Sequence, residues 1–271
     1  MNQQPQQSLG DWCIITVTHN SADDLRQWWS TRAPSGPEWI VVDNASTDDT
    51  VAVARSLGAQ VIEAPGNLGF SKANNLGFRH THANYVAFVN PDVRVNVADL
   101  PALAQLIEEQ HALVAPQLLN EDGTAQPNGR GLPFLIDKFA NRGLRLPGSR
   151  LDLYIPDISG VPTDVDWLTG AVICGARADL QALGPWDERF FLYYEDQEIG
   201  LAAWDHGLRV MVDPGIRWIH GWHRATKGLS VKPWLREIAS ATRFFRKRPI
   251  FLTLARKRAA RTQGKSSFTG H

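Results

Sequence analysis

Cysteine, long apolar runs and an export signal are scarce or missing in this chain of 271 residues. The two cysteines, Cys13 and Cys174, lie inside apolar segments with strand character, so we interpret them as buried core thiols in a reducing compartment. No run approaches the roughly 18 apolar residues that a membrane-spanning helix needs. The first ten residues are rich in glutamine and lack a secretory pattern. These features predict a cytoplasmic protein with a disordered N-terminus over residues 1–10.

Two common phosphate-binding motifs are also absent. The glycine-rich segment from Pro65 to Gly77 contains neither Gly-Lys-Ser/Thr nor G-x-G-x-x-G, which disfavours a P-loop NTPase and a nicotinamide-dependent dehydrogenase. Its glycines still permit close approach of a ligand to the backbone. We predict a helix that starts near Ser71 and directs its N–H groups toward whatever binds there.

Acidic residues are almost absent from the C-terminal end. From Arg224 onward the chain carries thirteen Lys and Arg residues against Glu237 alone, which leaves 15 basic and 27 acidic residues before it although the net charge is zero. An acidic body with a basic tail is informative about binding partners.

The basic C-terminal region also has a helical pattern from about Pro233. Basic charge beside apolar residues is typical of an interfacial helix on anionic lipid. Nucleic acid would use the same charge, but no recognition motif is present. We therefore predict a basic amphipathic tail over residues 226–271 that contacts an anionic membrane surface and no nucleic acid, with a solvated face as the alternative. The apolar residues that recur on one face are Trp234, Ile238, Ala241 and Phe245.

Residues 11–225 alternate strands and helices. Strands predicted at 12–18, 39–43 and 61–63 are separated by helices, a spacing that indicates a parallel sheet with right-handed crossovers. Further strands are predicted at 85–89, 112–118, 166–177, 209–212 and 216–220, and further helices at 97–110, 178–183 and 195–206. The pattern therefore predicts an α/β domain.

The predicted strand at 85–89 runs directly into Asn90-Pro91-Asp92. Pro91 lacks an N–H and disfavours helix at Asn90, so the strand should end there and place a carboxylate where open α/β sheets bind ligands. Because hard cations prefer oxygen ligands, we interpret Asp92 as a ligand for a divalent cation that carries a diphosphate. Alternatively, Asp92 caps the helix that begins near Val97 or closes a turn.

Polar residues follow the first two strands as well. Thr18 and Asn20 end the first, and Asp43 and Asn44 end the second. Asp43 could accept hydrogen bonds from a base or ribose, or it could only tie down its own turn.

An aromatic run delivers Glu195 and Asp196 to the start of a predicted helix. Acids at a helix start are stabilised by the macrodipole, which explains one carboxylate. Aromatic surroundings also raise the pKa of a carboxylate and make it a useful general base. His220 ends a later strand and is a candidate metal ligand, whereas we do not favour that role for His223.

Residues 120–162 are rich in Gly, Pro and Asn, and no elements are predicted there. A long segment of this kind is often a lid or a substrate-binding segment. Its arginines could grip a diphosphate through forked hydrogen bonds, or could be solvated. These arginines are Arg130, Arg142, Arg145 and Arg150.

Four motifs resemble family 2 glycosyltransferases of the GT-A fold, most of all the bacterial rhamnosyltransferases of cell-wall and O-antigen assembly. They are Thr-His-Asn-Ser, Val-Val-Asp-Asn-Ala-Ser-Thr-Asp, Gly-Asn-Leu-Gly-Phe-Ser-Lys-Ala-Asn-Asn and Asn-Pro-Asp-Val, in this order. The resemblance covers about residues 11–225. Asn90 stands where other members carry an aspartate, so we expect modest metal affinity.

The resemblance implies a mostly parallel central sheet flanked by helices. The charge and apolar pattern described above adds a basic helical C-terminal extension. It implies an inverting glycosyltransferase in which Asp196 is the catalytic base, assisted by Glu195. Asp92 and His220 would hold a divalent metal, Mg or Mn. Rivals of another class are a sugar nucleotidyltransferase and a non-catalytic nucleotide-sugar-binding protein.

The resemblance also implies the two substrates. The donor would be dTDP-rhamnose, or alternatively UDP-galactofuranose or a UDP-hexose. The acceptor would be a glycan or a polyprenyl-diphosphate-linked glycan, contacted by Arg130 and Glu198 at the inner face of the cell membrane. The residues expected at the donor nucleotide are Thr18, Asn20, Asp43, Asn67, Lys72, Asn75 and Asn90.

Overall fold

The computed structural model describes residues 8–30, 36–221 and 231–252. Residues of the predicted disordered N-terminus before position 8, His223, and positions 226–230 and 253–271 of the predicted tail lie outside these ranges. The strands are β1 (Trp12–Thr18), β2 (Glu38–Asp43), β3 (Gln60–Glu63), β4 (Tyr85–Val89), β5 (Val93–Arg94), β6 (Ala112–Leu119), β7 (Gly129–Arg130), β8 (Thr163–Asp164), β9 (Trp167–Leu168), β10 (Val172–Ala176) and β11 (Arg209–His220). The helices are α1 (Ala22–Trp29), α2 (Thr50–Ser56), α3 (Phe70–Phe78), α4 (Leu100–Gln110), α5 (Leu135–Asn141), α6 (Leu151–Tyr154), α7 (Arg177–Leu183), α8 (Glu195–Asp205) and α9 (Val231–Lys247).

The central sheet has the order β3-β2-β1-β4-β10-β6-β11-β5, and β8 pairs with β11. The pairs among β1, β2, β3 and β4 and the long pair β6–β11 are parallel. β10 runs antiparallel to β4 and β6, and β5 and β8 run antiparallel to β11. The sheet is therefore mostly parallel, as the alternation of strands and helices predicts.

Helices cover both faces of this sheet, which explains the uniformly apolar strands. Every residue of β4 is buried. Successive residues such as Ala87 and Phe88 belong to the hydrophobic clusters on opposite faces of the sheet. Cys13 and Cys174 lie in these clusters fully buried, and burial raises the pKa of both thiols. Both cysteines are core residues, as predicted.

The predicted strands 209–212 and 216–220 are one strand, β11. Its register against β6 shifts between Asp213 and Arg217. Oδ1 of Asp213 accepts a hydrogen bond from the N–H of Gly215 at 2.8 Å. The side chain of Asp213 thus replaces the partner that this N–H would have in a regular ladder. Pro214 and Gly215 mark a bulge, where we predicted a break.

The segment 120–162 contains regular structure that the sequence pattern did not predict. β7 pairs with β9, and α5 and α6 pack together. Buried side chains hold this segment, because the indole of Trp167 donates to the carbonyl of Gly131 at 2.8 Å and Oδ1 of Asp137 accepts from the N–H of Arg150 at 2.6 Å. These contacts join residues distant in sequence and leave no periodic pattern.

The helix predicted from Pro233 is confirmed as α9, and Phe245 of its predicted apolar face packs on the α/β body, whereas Ile238 of that face is exposed. Phe244 and Phe245 are buried against Phe134 and Tyr194, together with Phe251. These side chains are therefore not available to a membrane. In the described part of the chain, no helix is both long and apolar enough to span one.

Candidate active site

The turn after β4 carries the first acidic centre. The N–H of Asn90 donates to the carbonyl of Ala171 at 2.9 Å, and the indole of Trp29 donates to the carbonyl of Pro91 at 2.9 Å. The helical turn that precedes α4 is capped by Asn96, whose Oδ1 accepts from the N–H of Ala98 at 3.3 Å. Asp92 therefore does not serve as that cap, which removes one of the two alternatives to the metal interpretation.

Asp92 faces His220 from the neighbouring strand. Oδ1 of Asp92 lies 3.4 Å from Nε2 of His220, and both side chains are mostly buried. β5 and β11 bring them together, because His220 pairs with Val93 in the ladder and the N–H of Gly221 donates to the carbonyl of Asp92 at 2.8 Å. The two residues that the resemblance assigned to a metal are thus neighbours.

Gln126 determines which nitrogen of His220 carries the proton. Nε2 of Gln126 donates to the carbonyl of His220 and to Oδ1 of Asn120, both at 2.9 Å. Its Oε1 is consequently the atom that lies 2.8 Å from Nδ1 of His220, and an amide oxygen only accepts. Nδ1 is therefore the donor, and in the neutral ring Nε2 presents a lone pair toward Asp92.

The predicted donor residues at the first two strand ends bond mainly to one another. Thr18 Oγ1 donates to Oδ1 of Asp43 at 3.1 Å, and Asp43 also accepts from the N–H of Ser46 at 2.9 Å. Asn20, with φ 55°, accepts from the N–H of Thr47 at 2.8 Å. Asp43 is 3% exposed, so the structure favours the interpretation in which it ties down its own turn.

The glycine-rich loop is fastened to the aromatic run that precedes α8. The N–H of Phe70 donates to the carbonyl of Phe191 at 2.7 Å, and Gly69 has φ +81°. Oδ1 of Asn67 accepts from the N–H of Gly69 at 3.1 Å. Lys72 is exposed at a cavity of about 610 Å³, so Lys72 is available to a ligand, whereas Asn67 also supports the loop.

Asn75 has a structural role where the resemblance implied a donor contact. Its Nδ2 donates to the carbonyl of Trp186 at 2.8 Å and to Glu188 at 3.1 Å, and its Oδ1 accepts from the N–H of Trp186 at 3.2 Å. Both ends of the amide are used to hold α3 against the segment that leads to α8. The contacts of Asn75 therefore differ from the donor contact that the resemblance implied.

The second acidic centre begins α8 after an unusual turn. Tyr193 and Tyr194 both have φ 70°, a left-handed conformation that bulky residues rarely adopt and that tends to occur at functional sites. Glu195, which is buried, and Asp196, which is partly buried, follow directly. Oδ1 of Asp196 accepts from the N–H of Gln197 at 2.8 Å, whereas Oε2 of Glu195 is buried and has no hydrogen-bond partner among the described residues.

Burial and mutual repulsion shift both carboxyl groups. Burial raises the pKa of Glu195, and the neighbouring charge of Asp196 raises it further. Burial likewise raises the pKa of Asp196, while the charge of Lys138 and the N–H groups of Gln197 and Gly170 oppose the rise. A carboxyl group with a raised pKa is suited to general base chemistry near neutral pH.

Two cations stand near this pair. Arg130 lies over the ring of Tyr154 at 5.5 Å, and its Nε and Nη1 are buried without a hydrogen-bond partner in the part of the chain that the structure describes. Lys138 lies over the ring of Tyr194 at 3.5 Å. The sequence indicated Arg130 but not Lys138, whose segment shows no motif or periodicity. A cavity of about 200 Å³ opens here, lined by α5, α6, α8 and Glu237 of α9.

Glu198 does not face this cavity as an acceptor contact would. It is 2% exposed and forms ion pairs with Lys247 at 2.7 Å and with Arg248 at 3.0 Å. These ion pairs attach the end of α9 to α8 and occupy the carboxylate of Glu198. The contacts of Glu198 therefore differ from the acceptor contact that the resemblance implied.

A short segment between β9 and β10 links the two acidic centres. Ala171 accepts the hydrogen bond from Asn90, beside Asp92. The adjacent Gly170 contacts Asp196, because a Cβ built on it would lie 3.6 Å from the Cβ of Asp196. Two acidic centres distant in sequence thus border the same backbone segment at the carboxyl edge of β4.

This fold is the GT-A fold of nucleotide-sugar glycosyltransferases. A mannosyltransferase from Pyrobaculum calidifontis, solved with GDP-mannose and Mn²⁺, superposes with a TM-score of 0.58 over 88% of this chain and 64% of that one, at 17% identity. The Staphylococcus aureus protein TarS, solved with UDP-GlcNAc, superposes with a TM-score of 0.54 over 82% of this chain and 63% of that one, at 19% identity.

The chain belongs to glycosyl transferase family 2, whose model matches residues 13–168. It is 28% identical over 208 residues to a low-salt glycan biosynthesis hexosyltransferase of Haloferax volcanii, covering 73% of this chain and 63% of that one. It is 28% identical over 234 residues to the N-acetylglucosaminyl-diphospho-decaprenol L-rhamnosyltransferase of Mycobacterium tuberculosis, covering 78% and 76%. It is 22% identical over 250 residues to an Escherichia coli rhamnosyltransferase, covering 88% and 93%. The chain thus spans less than two thirds of the first of these relatives.

Proposed function

We propose that this chain is an inverting glycosyltransferase that moves a sugar from a nucleotide-diphosphate donor to a hydroxyl of a glycan or lipid-linked glycan. The observation that carries the proposal is that the turn carrying Asp92 and the start of α8 carrying Asp196 both contact the segment of Gly170 and Ala171. Direct displacement needs a base on the acceptor side of the sugar and charge stabilisation on the phosphate side.

Asp196 acts as the base in this proposal. The acceptor oxygen forms a bond to the anomeric carbon as the bond from that carbon to the diphosphate oxygen breaks. The bonding electron pair leaves with the diphosphate, and the hydroxyl proton passes to Asp196. Burial raises the pKa of Asp196 and so makes its carboxylate a stronger proton acceptor than an exposed aspartate.

The facing pair of Asp92 and His220 fits a divalent metal, Mg or Mn. A carboxylate oxygen and the ring nitrogen Nε2 face each other at 3.4 Å, an arrangement that either a proton on Nε2 or a bound cation satisfies. Gln126 fixes the ring as outer ligands of metal-binding histidines do. When bound, the cation supplies charge neutralisation for the departing diphosphate. Within the described residues no third His, Cys, Asp or Glu joins this pair, so diphosphate oxygens and water would complete the coordination.

Arg130 supports an acceptor that carries phosphate. A buried guanidinium with two unpartnered nitrogens is costly until an anion pairs with it. Its position near Asp196 places that anion beside the attacking hydroxyl. A sugar linked to a polyprenyl diphosphate has both groups on one sugar, and a relative named above acts on such a diphospho-decaprenol acceptor.

Rhamnose from dTDP-rhamnose is the donor sugar that we propose, because two of the relatives are rhamnosyltransferases. UDP-galactofuranose and UDP-hexoses are the alternatives. A thermal-shift panel of nucleotide sugars with and without Mn²⁺ tests this choice, because a matched donor stabilises the folded state by mass action. Stabilisation by a UDP-sugar alone would contradict the rhamnose assignment.

Asp196→Asn tests the reaction class. We expect it to retain donor affinity and to lose transfer by about a hundredfold or more, the usual contribution of a general base. Asp99→Asn, outside the site, is the control. Full transfer by Asp196→Asn would refute the base, and release of pyrophosphate from a sugar phosphate and a nucleoside triphosphate would point to a nucleotidyltransferase.

We also propose a peripheral position at the inner face of the cell membrane. The described end of the chain supports it, since Ile238, Ile250 and Leu252 are exposed. The basic residues Arg243 and Arg246 of the same region are exposed as well. A chain that ends at residue 252 should sediment less with anionic vesicles than the full chain and bind donor equally. Equal sedimentation of the two would refute a role for the basic tail.

A further inference from the structure

Lys138 is fixed at the residues on either side of the acid pair. Its Nζ donates to Oε1 of Gln197 at 3.2 Å and lies 3.5 Å from the centre of the Tyr194 ring. Tyr194 directly precedes Glu195, and Gln197 directly follows Asp196. Both contacts stabilise an ammonium group, because an amide oxygen and an aromatic face attract positive charge. The side chain of Lys138 is thereby oriented toward the N-terminus of α8.

No carboxylate neutralises this lysine at ion-pair distance. Among the described residues, no Asp or Glu oxygen lies within 4.0 Å of its Nζ, whereas Arg142 and Glu237 nearby pair with each other. Burial lowers the pKa of Lys138 to about 7, and the charge of Asp196 opposes this change. Asp196 is therefore the negative group that acts most strongly on Lys138, and Glu237 acts in the same direction more weakly.

The field of Lys138 acts unequally on the two acids. Its charge lowers the pKa of Asp196. The charge that acts on Glu195 is that of Asp196, and it raises the pKa of Glu195. Two buried adjacent carboxyl groups resist simultaneous ionisation, so an unequal field decides which one keeps the proton.

We infer that Lys138 is a positioning residue that keeps Asp196 ionised while Glu195 carries the proton. This inference rests on the proposed function, in which Asp196 is the base. Lys138 does not contact the acceptor hydroxyl in this scheme, and its effect on catalysis passes through the protonation of Asp196. The other titratable or charged groups near Asp196 are Arg130 of β7, Tyr154 of α6, Tyr194 before α8, Arg142 of α5 and Glu237 of α9.

The test compares pH profiles of kcat/KM for three variants. Lys138→Gln keeps a donor for Gln197 but has no charge, Lys138→Met has neither, and Lys138→Arg keeps the charge. We expect the acidic limb to move up by about one pH unit in the Gln and Met variants, since a nearby opposite charge shifts a carboxyl pKa by about 1 to 3. Activity one unit below the limb should then fall about tenfold, and Lys138→Arg should retain the wild-type limb. Arg145→Met, a basic exposed residue of the same segment, is the control.

Two results would overturn the inference. One is a wild-type acidic limb in a Lys138→Gln protein that folds and binds donor normally. The other is an equal shift in Lys138→Gln and Lys138→Arg, which would show a packing effect and not a charge effect. Asp196→Asn separates these results from failure of the proposed function. If the Asp196→Asn enzyme is fully active, Asp196 is not the base and the proposed function fails; if it is inactive, a result against Lys138 concerns Lys138 alone.

Discussion

Nε2 of His220 faces Oδ1 of Asp92 at 3.4 Å, while Nδ1 of the same ring is held by Gln126 at 2.8 Å. When the ring is neutral, its proton is on Nδ1 and the lone pair of Nε2 points toward Asp92, so the ring need not rotate to bind a cation there. Gln126 itself is buried, and its Nε2 donates to the carbonyl of His220 and to Oδ1 of Asn120. The orientation of the proposed metal ligand is therefore built into the fold.

Replacing Gln126 tests this outer contact. Gln126→Met removes the hydrogen bond to Nδ1 but keeps an unbranched side chain, so we expect Mn²⁺ affinity in the presence of nucleoside diphosphate to fall about 10- to 100-fold. Titration of free Mn²⁺ by electron paramagnetic resonance measures this directly. Gln105→Met on the exposed face of α4 is the control. Unchanged affinity in Gln126→Met would argue against His220 as a ligand.

The pKa of Glu195 gives a pH dependence of stability. Because the folded pKa is raised from 4.5 to about 8, the folded state holds a proton that the unfolded state has lost between these values. The free energy of unfolding should therefore fall as pH rises, by up to about 1.4 kcal/mol per pH unit from this group. Glu195→Gln cannot lose the proton, so its stability relative to wild type should increase between about pH 5 and pH 8.

Urea denaturation at several pH values measures the effect at Glu195. Glu121→Gln, at an exposed turn, should show no such trend. A constant difference between Glu195→Gln and wild type over this range would mean that Glu195 ionises normally in the folded protein.

Gly69 is constrained by both its backbone and its neighbour. Its φ is +81°, and a Cβ there would lie 2.5 Å from the carbonyl oxygen of Phe191. Gly69→Ala should therefore lower the free energy of unfolding by more than about 2 kcal/mol, from left-handed strain and the clash together. Gly66→Ala is the matched control, because no atom lies within 4 Å of its Cβ position. Equal stability of the two variants, measured by chemical denaturation, would contradict the close approach of this loop to the aromatic run.

The parts of the molecule that sequence could predict are those set by local pattern. β4 is apolar because both its faces are buried, and Pro91 ends it where the first acidic centre begins. The glycine-rich loop and the acids of α8 carry motifs of adjacent residues. Such patterns need no knowledge of the remote chain.

The parts that sequence could not predict depend on contacts between distant residues. Gln126 reaches His220 across 94 positions, and Lys138 reaches Gln197 across 59. Asn75 and Glu198 match the family motifs, yet their side chains bond to Trp186 and Arg248. A motif identifies the residue type at a position, whereas the partner that uses it is set by tertiary packing.

The pair of Glu198 and Arg248 makes the end of α9 part of the catalytic body. Nε and Nη2 of Arg248 donate to the two carboxylate oxygens of Glu198 at 3.1 and 3.0 Å, and Nη1 donates to Asp205 at 2.6 Å. Arg248→Met would leave the buried carboxylate of Glu198 with Lys247 as its remaining cation. Breaking a buried pair from one side costs about 3 to 5 kcal/mol, and we expect the lower end of that range here because Lys247 stays.

Arg246→Met is the matched control for Arg248→Met, since Arg246 is exposed in the last turn of α9, two residues earlier, and should change stability by less than about 0.5 kcal/mol. The double variant Glu198→Gln with Arg248→Met should recover part of the loss, because no buried charge is left unpaired. Chemical denaturation of the four proteins measures these differences. If Arg248→Met is no less stable than Arg246→Met, Glu198 is not held by this pair and becomes available to an acceptor, as the family motif implied.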